Sequence, residues 1–153
     1  MHAMRPLNFP QIPLRVRGPY TGERLRIFDP VRRRFVALTP EEWVRQHVLH
    51  FLIGHLGYPR ALIRAERGLK YHRLAKRMDV ICYDRRGTPY LLVECKSPDT
   101  TIDRRVFDQA SMYNSGIGAP YIAVTNGLIH LIAHIDRSRS TVEFSDSFPP
   151  LPQ

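Results

Sequence analysis

The sequence predicts an α/β domain in which a mixed β-sheet is flanked by α-helices. Three observations predict it. Short strand-like runs alternate with two helical stretches in the order strands, helix, strands, helix, strands. Asn126-Gly127 separates two apolar runs, which is a strong signal for a type I′ hairpin. Helix punctuation brackets the two helical stretches, with Thr39-Pro40-Glu41-Glu42 opening the first and Gly116 and Gly118 closing the second.

Each element has its own local reason. Arg24 to Phe28 and Arg34 to Leu38 read as short strands around the turn pair Asp29-Pro30. Thr39 suits a helix cap, Pro40 the first helical position, and the two acids the positive end of the helix dipole. Val44, Val48, Phe51, Leu52 and Leu56 then repeat at helical spacing until Gly57-Tyr58-Pro59. Ala61 to Glu66 reads as a strand, and Gly68 to Arg77 as a basic connection holding Lys70, His72, Arg73, Lys76 and Arg77. Met78 to Asp84 and Pro89 to Lys96 form two strands of a hairpin around Arg85-Arg86-Gly87. The second helix is expected from about Ile102 to Ser115, with Ile102, Val106, Ala110 and Tyr113 on one stripe. Pro120 to Thr125 and Leu128 to Ile135 are strands, and Thr141 to Phe144 adds an edge strand.

The 153 residues suit a single domain and leave no room for a fused motor. Seven of the 13 prolines lie in the tails, so residues 1–19 read as an extended arm and residues 146–153 as a Pro-rich tail around a domain spanning 20–145. No phosphate-binding G-x-x-x-x-G-K-[ST] loop occurs, no apolar run approaches a membrane span, and Met1 to Pro6 lacks a signal-peptide core. A cytoplasmic protein with no membrane partner is expected. Cys82 and Cys95 make no disulfide framework and read as reduced core thiols. The net charge is +9, and arginine supplies 20 of the 23 cations. Arginine forks match phosphate, which favours a polyanionic partner. A genome rich in G and C would encode the same bias, so composition alone does not decide.

The chemistry lies in Met78-Asp79-Val80-Ile81-Cys82-Tyr83 and Leu91-Leu92-Val93-Glu94-Cys95-Lys96. Side chains alternate along a strand, so Leu92, Glu94 and Lys96 share a face. Two charges at the end of so apolar a strand need a partner or a task. Hairpin pairing brings Asp79 beside Glu94. Two close carboxylates repel unless a cation bridges them, and Mg²⁺ held by one or two carboxylates plus waters suits the pair. Lys96 would orient or deprotonate a water, or stabilise charge on phosphorus. The competing reading is a structural Glu-Lys pair with Asp79 in a turn.

The spacing Asp79-x14-Glu94-x-Lys96 resembles the PD-(D/E)xK nuclease superfamily. More narrowly, the chain resembles the N-terminal nuclease domain of type I restriction enzyme R subunits over about residues 39 to 136. The matching stretches are Glu41-Glu42-Trp43-Val44-Arg45, Arg77-Met78-Asp79-Val80, Leu92-Val93-Glu94-Cys95-Lys96, Gln109-Ala110-Ser111-Met112-Tyr113 and Thr125-Asn126-Gly127. The resemblance implies a restriction-endonuclease-like sheet and a Mg²⁺-dependent DNA endonuclease, with Mn²⁺ as a substitute, leaving 5′-phosphate and 3′-hydroxyl ends. It implies Asp79, Glu94 and the Cys95 carbonyl as metal ligands and Lys96 as the catalytic lysine. A first-helix glutamate completes the acidic site. Glu41 lies on the stripe with Val44 and Val48, whereas Glu42 fits a capping box with Thr39. Glu41 is therefore favoured and Glu42 stays open. Gln109 and Tyr113, one helical turn apart, match the family's Q-x-x-x-Y and would brace the site or touch the DNA backbone. Arg73, Lys76 and Arg77 would form a phosphate-contacting rim.

Met78 stands where the superfamily label has proline, and the chain lacks the R-subunit motor. Partners implied are DNA and a motor or methylase and specificity subunit from another chain. Dimers occur in this fold, which leaves a homodimer open. A non-catalytic module that keeps the fold and binds nucleic acid or a partner is the alternative function. His47, His50 and His55 stand at intervals of three and five, unlike the i, i+4 pair of a zinc protease, and read as packing residues. Trp43 reads as packing near the helix start.

Overall fold

A computed structural model describes residues 5–19, 21–22, 24–70 and 77–153, with the side chains of 66–70 and 77–78 outside that description. The chain runs β1 (Val16–Arg17), β2 (Arg26–Asp29), β3 (Arg34–Ala37), α1 (Pro40–Gly54), a 3₁₀ turn (Arg60–Leu62), β4 (Ile63–Lys70), β5 (Arg77–Tyr83) and β6 (Pro89–Cys95). It continues with α2 (Arg104–Ile117), β7 (Tyr121–Thr125), β8 (His130–Asp136) and β9 (Thr141–Ser145). The fold is mixed α/β.

The strands divide into two sheets. β4 to β9 form one six-stranded sheet in chain order, in which β6 and β7 are parallel and every other pair antiparallel. The parallel step exists because α2 carries the chain back across one face between β6 and β7, as a crossover must. β1, β2 and β3 form a separate antiparallel sheet. The expected arm thus supplies β1, because Val16 pairs with the fully buried Ile27 and belongs to the inward face of that sheet.

Alternation along β6 assigns the two helices to opposite faces of the large sheet. Leu91, Val93 and Cys95 pack with Val44, Val48, Leu49 and Leu52 of α1. Leu92 packs with Tyr113 and Ala119, while Ile122 and Val124 pack with Phe107 and Ala110 of α2. Truncating such a fully buried leucine to alanine costs about 2–5 kcal/mol.

α1 differs from a helix with a single apolar stripe. It lies between the large sheet and the small one, so Glu42, Arg45 and Gln46 are as buried as Val44 and Val48. Its N-terminus follows the expected chemistry: Thr39 Oγ1 accepts from Glu42 N–H at 3.0 Å, with Pro40 at the first helical position. α2 ends later than expected. Gly116 is helical, and Gly118, at φ +82°, is the left-handed residue that closes the helix.

The Asn126-Gly127 link is a correction. Thr125 pairs with His130, leaving a four-residue loop rather than a two-residue turn. Asn126 Oδ1 accepts from Leu128 N–H and Ile129 N–H, and its Nδ2 donates to Thr100 O. The side chain thereby organises the longer loop. Gly127, at φ +85°, lies so close to Leu7 that a Cβ there would meet its Cδ1 at 2.8 Å. Both tails lie along the domain: Phe9 and Phe148 pack on Phe51, and Tyr58 and Tyr90 donate to Pro149 O and Pro150 O.

Candidate functional site

β5 and β6 are neighbouring strands that carry the two candidate acids, Asp79 and Glu94. Their pairing runs to Val80 opposite Val93. One residue beyond, the Asp79 side chain takes over from the backbone: its Oδ2 accepts from Cys95 N–H at 2.7 Å. Continuing that register by one step puts Glu94 opposite Asp79. Lys96 Nζ lies 2.9 Å from Glu94 Oε1. Burial alone would lower the Lys96 pKa, but its hydrogen bond to Glu94, with Glu94, Glu41 and Asp79 nearby, holds it above the ordinary lysine value. Lys96 is therefore a cation at neutral pH, which fits charge stabilisation better than deprotonation of water. The second oxygen, Glu94 Oε2, is buried with no hydrogen-bond partner among the described residues.

Asp79 is anchored from the other side by a residue the sequence reading gave no role. Arg45 Nη2 donates to Asp79 Oδ1 at 2.5 Å and lies 3.2 Å from Glu41 Oε1, while Arg45 Nη1 pairs with Glu42 Oε2. Its side chain is 2% exposed. Burial opposes its charge, but Asp79 foremost, with Cys95 and Glu42 behind it, outweighs that opposition, and Arg45 is more firmly protonated than an ordinary arginine. Arg32 extends the network by pairing with Asp29 and Glu42, and Gln46 Nε2 donates to both of those acids. The signal for Arg45 was present in the sequence. It stands three and four residues after two glutamates, the spacing at which helical side chains meet.

The two candidate helix acids separate clearly. Glu42 is the buried one, because the small sheet covers the side of α1 that a single-stripe helix would turn to solvent. Its carboxylate is committed to Arg32, Arg45 and Gln46, so it does not reach back to complete a capping box. Glu41 has a side chain 46% exposed, touches Arg45, and influences Lys96. It lines a cavity of about 440 Å³ with Arg32, Thr39, Glu42, Arg45 and Ser97.

The remaining candidates stand elsewhere. Tyr113 is buried against Ile81, Leu92 and Ala119, inside the layer between α2 and the sheet and away from an open surface. Gln109 is half-buried on α2, one turn earlier. Arg73 and Lys76 lie outside the described residues, and Arg77 is described only as the first residue of β5. The Cys95 thiol packs in the core under α1, and burial raises its pKa well above the usual thiol value. His47 stacks edge-on against Trp43 and touches Phe9.

Three features define what the arrangement can do. Asp79, Glu41, Glu42, Asp29 and Glu94 are five carboxylates facing three cations, Arg32, Arg45 and Lys96, which leaves two negative charges uncompensated in a chain of net charge +9. The donors are all oxygen, the preference of a hard divalent ion. Among the described residues no group of three or more His, Cys, Asp or Glu is placed to hold a metal ion.

The family model described as type I restriction enzyme R protein N terminus matches residues 40–149. Among solved structures, the chain is similar to a fragment of an HsdR subunit assigned to a type I restriction enzyme of Vibrio vulnificus YJ016. That likeness has 20% identity and a TM-score of 0.45, and covers 64% of this chain and 21% of the other. The chain spans about a fifth of that chain's length. No curated protein matches. No helix among the described residues is long and apolar enough to cross a membrane.

Proposed function

We propose, on the premise that this chain belongs to the type I restriction enzyme R protein N-terminal family, that it is a divalent-cation-dependent nuclease domain hydrolysing DNA phosphodiesters. The observation that supports the reading is the buried Glu94 Oε2, without a hydrogen-bond partner among the described residues, on a carboxylate whose other oxygen pairs with a cationic Lys96. Asp79, Glu94 and the Cys95 carbonyl would hold Mg²⁺ or Mn²⁺. When bound, the ion supplies Lewis-acid polarisation of the phosphate and a lowered pKa for water.

The chain's own residues do the rest. Cys95 N–H and Arg45 fix the Asp79 carboxylate from two directions, so it is oriented before substrate arrives. Lys96, kept charged by Glu94, stabilises the negative charge that develops on the phosphoryl oxygens. Glu41, at the cavity wall, is the first-helix acid of the site, since Glu42 is committed to two arginines. Tyr113 braces the α2 side of the strand bearing Glu94, and Gln109 stands one turn from it. A motor or a methylase and specificity subunit would be supplied by other chains.

Nicking of supercoiled DNA with Mg²⁺ or Mn²⁺ tests the reading. Wild type should nick, excess chelator should stop it, and Asp79→Ala or Lys96→Ala should lower the rate by about 100-fold or more. Equal rates in wild type and variants would overturn the assignment. One observation favours a second reading: Arg45 already neutralises Asp79, as suits a non-catalytic binding module. That module would bind DNA in a salt-dependent way and cleave under no metal condition.

A further inference from the structure

The small β1–β3 sheet lies wholly before residue 40, where the family match begins. Residues 1–39 contain eight arginines against Glu23 and Asp29, so they hold six of the nine net positive charges. The pairing register sorts this sheet into two faces. Val16, Ile27 and Val36 stand opposite one another, and Ile27 is fully buried. Arg17 pairs with Arg26, Phe28 pairs with Phe35, and Phe28 N–H donates to Arg15 O, so these five residues share the other face. Arg15, Arg17 and Arg26 are exposed.

The chemistry of that face is specific. The Arg15 guanidinium lies 4.6 Å from the Phe28 ring centroid, and Arg17 lies 4.0 Å from that of Phe35. Stacking on a ring fixes a guanidinium's plane at little cost and leaves its in-plane N–H donors free. No ion pair among the described residues engages Arg15, Arg17 or Arg26. The rings are covered by the guanidinium groups, which disfavours base stacking and favours phosphate contact. Val36 and Ala37 of the same sheet line the cavity that holds Glu41 and Arg45.

We propose that the outer face of the β1–β3 sheet is an accessory platform for the phosphate backbone of duplex DNA, leading toward the Asp79–Glu94 site. Its choice of DNA as partner rests on the nuclease reading above. Three guanidinium groups would each neutralise a phosphate and release its condensed counterion. The platform therefore sets how steeply affinity falls with salt.

The test is fluorescence anisotropy of the full chain with a short labelled duplex in chelator, over a series of salt concentrations. The triple variant Arg15→Gln, Arg17→Gln, Arg26→Gln should flatten the slope of log K against log salt by about 2 to 3, and the triple Arg→Lys variant should restore it. Arg26→Glu stacks on no described ring and guards against a folding defect. It should flatten the slope by about 1 or more. Unchanged slopes in both the triple glutamine variant and Arg26→Glu would overturn the proposal. So would tighter binding to phosphatidylserine vesicles than to the duplex at matched salt. Wild type that binds in this way without ever cleaving refutes the nuclease reading alone. Cleavage with unaltered slopes refutes the platform alone.

Discussion

Replacing Arg45 with methionine should destabilise the domain through a defined route. The side chain is almost wholly buried and pairs with Glu42, Asp79 and Glu41. Methionine fills much of the same volume, so the loss is electrostatic more than steric. Glu41 is half-exposed, and its share is at most about 1 kcal/mol. Glu42 keeps Arg32 and Gln46 as donors. Among the described residues Asp79 keeps the Cys95 amide as its hydrogen-bond donor and becomes a nearly buried carboxylate without an ion-pair partner. Removing one partner of a buried pair costs about 3–5 kcal/mol, and Glu42's remaining donors place this case near the lower figure. A loss of about 3 kcal/mol lowers Tm by roughly 6–12 °C in a chain of this size. Urea denaturation at neutral pH reads it directly. Adding Asp79→Asn should recover about 1 kcal/mol or more, because the double variant has less stranded charge. A single variant within about 1 kcal/mol of wild type, with no recovery in the double, would refute the claim that Arg45 is the internal counter-ion of the site.

Other outcomes follow from the same geometry. Lys96 should titrate above the ordinary lysine value in wild type and lower in Glu94→Gln, where burial keeps only Glu41 and Asp79 as opponents; NMR titration of the ammonium would show this, and equal values in the two proteins would contradict it. Because its folded pKa is raised, its contribution to stability is complete below the unfolded value and disappears as pH rises through the folded one. Burial lowers the pKa of His47, His50 and His130. The unfolded chain therefore takes up protons first, and stability present above about pH 6.5 should decline as pH falls below it; a flat Tm across that window would refute this. Cys82 and Cys95 are fully buried, and burial pushes both thiols up. Both should resist a thiol reagent in the native protein and react in denaturant; fast native labelling of either would show the core to be open there.

Strand chemistry was legible in the sequence because its period is two and its partners are local. The pairing of β5 with β6 follows from the turn at Arg85-Arg86-Gly87, which stands in the sequence, whereas the irregularity between Cys82 and Tyr83 does not. Helix chemistry was less legible. Helical spacing finds an apolar stripe, but a helix clamped between two sheets buries its polar side as well, and only the fold reveals that Glu42, Arg45 and Gln46 face a second sheet. The same limit hid the split into two sheets, since the order of strands does not say which of them pair. Asn126 misled for a different reason. Its dipeptide with Gly127 signals a two-residue turn, but its side chain binds Thr100 O across the molecule and organises a longer loop.

The central claim is that Glu94 and Asp79 form the oxygen site of a divalent cation. Calorimetric titration of Mg²⁺ or Mn²⁺ into wild type and Glu94→Gln, each bound to a non-hydrolysable duplex and each checked for an unchanged Tm, tests it most directly. Wild type should take up one ion per chain at this site, and Glu94→Gln should lose that uptake. Identical binding curves, or no uptake by wild type, would contradict the account.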